Sequence, residues 1–305
     1  MKMEANIKQI SIYRKNIIAD QATGQQTEDE PVLMSVTQIH EKWRKPVSET
    51  QYNQHGQPEQ QIDYAYNEQG FLIREVLKDV EGETLEEKSY EPDKNNRISK
   101  EYRHYADGSF DTLTFTYDDD DGQLVRKVLT DDENNIESVE HFHYSDGLLV
   151  EEEVRNEDDE VVRQIEYTYD DDGLVDKKVL QDHETGQYIR QEFAYNDKGF
   201  REAILSYDEN DNLVERVLLD LDEKGRPIGV EEEDKNKKNR TVMAYDDKDH
   251  VLFQEETDLN GELVSRVRRH YNGQGLLTST EVEVRNPLRA INQHYKVYHS
   301  YEFYS

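Results

Sequence analysis

The chain contains no cysteine. This excludes disulfides, thiolate metal sites and a cysteine nucleophile. Proline is scarce, at six of 305 residues, and there is one tryptophan. Basic residues are few: 37 Lys and Arg stand against 69 Asp and Glu, for a formal net charge of −32. Only 34% of residues are hydrophobic, and no run approaches the length of a transmembrane helix. The first twenty residues scatter Ile among Lys, Arg and Asn, without a continuous apolar stretch. The expected location is therefore cytoplasmic, or beyond it by a route that uses no Sec signal peptide. Thin apolar content and high charge place the chain near the disordered class. Twenty tyrosines argue against that class.

The charge is unevenly spread. Residues 1–45 carry a net +1, residues 265–305 a net +3, and residues 46–264 a net −36. Such a middle segment repels phosphate, so neither nucleic-acid binding nor membrane insertion is expected.

A phrase recurs through this acidic middle. It reads Tyr64-Ala-Tyr66-Asn67-Glu68-Gln69-Gly70, then Phe115-Thr116-Tyr117-Asp118 with Gly122, and Tyr144 with Gly147. It returns at Tyr169 with Gly173, Tyr195 with Gly199, Leu221 with Gly225, Tyr245, and Tyr271 with Gly275. A degenerate copy starts at Tyr90, and successive anchors lie 24 to 27 residues apart. Asp or Asn after the tyrosine starts a type I turn, and the glycine tolerates a left-handed backbone. Weaker turns such as Asp79–Gly82, Asp132–Asn135 and Tyr207–Asn210 fall midway. The unit is thus a hairpin of two strands. Alternation places Leu113, Phe115 and Tyr117 on one face.

These observations predict an all-β fold: an antiparallel β-hairpin repeat array of about nine 26-residue units and some eighteen strands, coiling into an open spiral or shell-like sheet. Tyrosines would line the inner face, with acids in the turns and on the outer face. Residues 1–45 read as an N-terminal cap with a mobile acidic loop at 20–31. Residues 46–280 are the repeats, and residues 281–305 are capping strands.

The phrase Tyr-x-Tyr-(Asp/Asn)-x-x-Gly-x-Leu, in register over roughly 46–280, resembles the YD repeats of the Rhs family. The resemblance implies a β-spiral scaffold associated with toxin delivery, secretion or cell-surface contact. With no Asp-Pro-x-Gly segment after the repeats and only about nine hairpins, a free-standing repeat scaffold or one component of a larger assembly is the form expected here.

The repeat anchors Tyr66, Tyr117, Tyr144, Tyr169, Tyr195, Tyr245 and Tyr271, with Gly70, Gly122, Gly147, Gly173, Gly199, Gly225 and Gly275, are read as structural. Asp118–Asp121 and Asp170–Asp172 cluster carboxylates, and Asp220, Asp222, Gly225 and Glu231 partly match a calcium loop that Lys224 interrupts. Solvated turn charge is the simpler reading. His141 and His143 point to one face of a strand, with His104 as the nearest third histidine by repeat position. A solvated or tyrosine-packed pair is again simpler. Trp43 reads as cap packing. No motif for a nucleophile, a phosphate loop or a zinc protease is present. No catalytic residue, metal ligand or cofactor is assigned, and the chain is expected not to be an enzyme. The leading expectation is a scaffold that binds another protein. The rival readings are a carbohydrate-binding module with exposed Tyr, and an acidic immunity protein or chaperone for a basic partner.

Overall fold

The structure is a computed structural model, and it describes residues 6–19, 26–286 and 291–305. Of the expected mobile loop, residues 20–25 lie outside the described residues. Every regular element described is a β-strand, 23 in all. The count exceeds eighteen because the flanking segments are strands too. These are β1 (Ile7–Ala19), β2 (Gln26–Glu28), β3 (Val32–Ile39) and, at the other end of the chain, β22 (Leu277–Asn286) and β23 (Ile291–Phe303).

Those segments overturn the open spiral. β1 pairs with β3 along one edge, with Ser11 opposite Val36, and with β23 along the other, with Ser11 opposite Ser300. The first and last strands are therefore neighbours, and the meander forms a closed antiparallel barrel of 22 strands with one strand, β2, outside it. The physical reason lies at the ends. A spiral leaves two unpaired edges, each a row of unmet N–H and C=O groups. A 13-residue β1 and a 13-residue β23 satisfy those rows in each other. The repeat pattern cannot show this, since neither strand carries the motif.

The chain divides into two compact units, Met1–Glu87 with Arg240–Ser305, and Lys88–Asn239. In the first, Ile7, Ile39 and Leu276 form a small buried cluster with Ile10 and Tyr301 packed against it. In the second, β8 (Ile98–His104) through β18 (Pro227–Asp234) run as an unbroken meander. Val139 and Ile165 are its buried apolar residues. Most other strand residues are half-buried, as a single-layer sheet requires.

Within this second unit the charge does not sort to one face. Lys127, Glu140 and Glu152 share the face of Ile165. Arg126, His141, Glu153 and Gln164 share the other. Both faces carry charge, which replaces the expected apolar-inside, acid-outside division.

Candidate interaction surface

The turns are the most regular feature of the molecule. At Asn196 the side-chain Oδ1 accepts N–H groups from Lys198 and Phe200 at 3.0 and 3.1 Å. The Asn196 N–H donates to the Phe200 carbonyl, and the Gly199 N–H donates to the Asn196 carbonyl. This geometry forces a left-handed residue three places after the Asn, where Gly199 has φ +76°. The turns expected to be weaker are the same turn. Asp208 Oδ1 accepts from the N–H groups of Asn210 and Asn212, and Asp211 takes φ +61°. Asn96, Asn134, Asp159 and Asp249 fill the same position elsewhere. Asn and Asp tolerate that conformation better than other non-glycine residues, so a turn of either set can lack a glycine without losing its shape, while Gly82 and Gly261 fill the position in other midway turns.

The anchor tyrosines latch neighbouring turns together. The hydroxyls of Tyr66, Tyr144, Tyr169, Tyr195 and Tyr271 each donate to the carbonyl 20 residues earlier, at 2.7, 3.0, 2.6, 2.9 and 3.4 Å. Tyr117 donates to Ile98, 19 residues earlier, at 2.9 Å. Each acceptor sits where the chain leaves the preceding turn at that end. The Tyr245 hydroxyl also lies 4.0 Å from Met243 Sδ. Burial raises the pKa of the Tyr66, Tyr117, Tyr144 and Tyr169 hydroxyls. Tyr169→Phe should cost about 1 kcal/mol, because the Leu149 carbonyl loses its donor in a half-buried site. A urea unfolding midpoint indistinguishable from the parent's would show that water replaces the latch.

The glycines are covered by the preceding turn. A Cβ on Gly70 would lie 2.5 Å from Trp43, and one on Gly225 would lie 2.6 Å from the Phe200 ring. Around Gly122, Arg97 takes this place and also donates to the glycine carbonyl at 2.7 Å. Leu174 approaches Gly199, and His250 approaches Gly275. Leu174, Phe200, Arg97 and His250 each directly follow the left-handed position of their own turn, whereas Trp43 directly precedes it, at Arg44. Sequence reading missed it because Leu, Phe, Arg and His share no residue class. At Gly147 and Gly173 nothing lies within 4 Å.

The other singled-out residues disperse. Asp222 caps its own turn and pairs with Arg226 at 2.5 Å, whereas Glu231 pairs with Lys238 at 3.0 Å. The partial calcium loop therefore does not assemble. His104 bonds Ser89 at 2.8 Å and stands three strands from His141. His141 and His143 do share a face, with ring centroids 6.2 Å apart. Burial, then Arg126, lowers the His141 pKa.

The acid gathers in the second unit, with 43 acidic and 20 basic residues, a net of −23; the first unit has 26 and 17, a net of −9. Four successive turns at one end of its strands, 131–135, 156–160, 182–187 and 208–212, hold twelve Asp and Glu and no Lys or Arg. Adjacent turns at one end are two strands apart, about 10 Å, so their fields overlap at low salt. Arg155 and Arg190 reach up from the strands to Asp159 and Asp211. Ile136 and Leu213, 46% and 52% exposed, stand just behind the first and last of these turns.

No family model matches the chain, and no curated protein matches it. Among solved structures it is similar to TcdB2-TccC3-Cdc42, at 10% identity and a TM-score of 0.40, covering 89% of this chain and 18% of that one. It is also similar to a porin-like protein from Bacteroides uniformis, at 12% identity and a TM-score of 0.33, covering 98% and 97%. The chain thus spans less than a fifth of the first of these. At such identities and TM-scores neither likeness bears on function.

Proposed function

We propose that the chain is a non-enzymatic β-repeat scaffold that binds a basic protein partner, as a component of a toxin-delivery, secretion or defence assembly. The ridge of four lysine- and arginine-free turns carries this reading. Its carboxylates are fixed on a rigid hydrogen-bonded frame, so little ordering is needed on binding. Ile136 and Leu213 supply apolar contact beside the charge. Electrostatic complementarity of this kind gives fast, selective and salt-sensitive association. A carbohydrate surface built on the anchor tyrosines is less favoured, because the hydroxyls of Tyr66, Tyr117, Tyr144, Tyr169, Tyr195 and Tyr271 are committed to backbone carbonyls.

The test is capture from native lysate on the immobilised full chain, with elution by NaCl. A reproducible basic protein should be released between about 0.1 and 0.5 M salt. A variant with Asp132, Glu133, Glu157 and Asp158 changed to Asn or Gln should lose it. Empty capture, or retention indifferent to both salt and variant, overturns the proposal.

A further inference from the structure

One of the two strands that close the sheet carries a half-buried histidine. His299 lies on β23 directly opposite Ile12 of β1, in a stretch of regular register from Gln9 to Asn16. Its Nδ1 is buried and has no hydrogen-bond partner among the described residues. Its ring stacks on that of Tyr301, with centroids 6.5 Å apart and planes at 16°. The Thr278 hydroxyl on β22 is committed elsewhere, donating to the His270 carbonyl at 3.0 Å. We propose that His299 is an acid-sensitive lock: the closed sheet accommodates the imidazole neutral, and its protonation opens the seam between β1 and β23.

Strand alternation identifies what shares the face of His299. On β1 these residues are Ile10, Ile12 and Arg14, and on β23 they are Tyr295, Val297 and Tyr301. On β22 they are Thr280 and Val282. Next come Ser35 and Thr37 on β3, and Arg269 on β21 (Leu263–Tyr271), opposite Thr280. Lys8, in the β1 bulge, is exposed. The charged groups nearest in register are thus cations. The first carboxylates met on this face are Glu49 on β4 (Pro46–Tyr52) and Glu256 on β20 (Val251–Asp258), each three strands from β23. An imidazolium carries two N–H donors and a charge. Here the Nδ1–H would lack an acceptor, and no carboxylate stands beside the charge. Both costs vanish when the seam opens and water reaches the ring. Burial already holds His299 below the ordinary histidine range. The closed seam is therefore at full strength above the open-state value near 6.5, and weakens as pH falls from there toward the folded value. The opening is local. It joins chain segments of net charge +1 and +3, where easing of carboxylate repulsion at lower pH helps closure least.

The experiment is amide hydrogen exchange of the full chain at pH 7.5 and pH 5, with each rate divided by its intrinsic value. Amides of β1 and β23 should exchange about fivefold faster at pH 5, relative to those of β13 (Val161–Tyr169) in the second unit. His299→Phe stacks on Tyr301 without taking up a proton, and His299→Gln stays neutral and polar; each should remove the change. Seam exchange that is level between the two pH values in the unmodified chain overturns the proposal. So does a pH response that persists in either folded variant, which would place the sensor elsewhere.

Discussion

Gly225→Ala should lose about 2–4 kcal/mol of stability, and Gly173→Ala about 1–2. Both glycines hold a left-handed backbone, with φ +78° and +76°, and any L-residue there costs about 1–2 kcal/mol. The difference lies above them. The new methyl group at 225 would sit 2.6 Å from three atoms of the Phe200 ring, while at 173 it would meet nothing within 4 Å. Overpacking adds about 1–3 kcal/mol, and an aromatic ring tied into the preceding turn yields less than a flexible chain end. This turn follows Leu221, which has no hydroxyl to latch it, so the Phe200 contact carries more of the local cohesion. Urea unfolding of the two variants reads the comparison. Equal losses would mean that the ring moves aside and that turn stacking contributes nothing.

Stability should rise as pH falls from about 8 to about 5, then collapse below about pH 4. Two effects of opposite sign meet here. A chain with net charge −32 repels itself, and this repulsion eases as carboxylates begin to take up protons. Against it stand the turn caps. A hydrogen bond from the Asn135 side chain holds Asp131 below the ordinary carboxylate range, and one from Asn212 does the same for Asp208. Arg226 does so for Asp222, and the N–H groups of Thr185 and Asn236 do so for Asp182 and Asp234. A depressed folded-state pKa contributes stability that is complete above the unfolded value near 3.9 and is lost as pH falls through the folded value. The caps therefore act together at the acid end of the range, and the repulsion acts at neutral pH. Adding about 0.3 M NaCl should raise the melting temperature at pH 8 and change it little at pH 5. A melting temperature that falls steadily from pH 8 downward would show that repulsion is negligible.

The repeat was legible because its chemistry is local. Asn67 or Asp170 needs only its own next four residues to build the turn, so the spacing of Tyr, Asp and Gly announces it. The second turn set was under-read because Asn134 and Asp211 take the left-handed position that Gly173 and Gly199 take elsewhere. Closure was not legible. It depends on β1 meeting β23 across nearly the whole chain, and Ser11 and Ser300 give no sign of one another. The same limit hid the cross-strand neighbours of the histidine pair: His141 and His143 stand out in sequence, whereas the residues the hairpin sets opposite them, Glu153 and Glu151, are two ordinary members of an acidic run. The direction of the charge was also only half visible. Composition located it in the middle of the chain, whereas strand polarity gathers four basic-free turns at one end of one unit.

The first and last strands close the sheet by pairing with each other. Because the protein has no cysteine of its own, a single introduced pair tests it without background. Ser11→Cys with Ser300→Cys places two thiols on directly opposed residues of β1 and β23, within reach of a disulfide. Mild oxidation of the dilute protein should give a monomeric, internally crosslinked species in high yield, with a raised unfolding midpoint because a loop of nearly the full chain length is tied. Single-cysteine controls should give none. Free thiols, or crosslinks found only between molecules, would show that the first and last strands do not meet and that the sheet is open.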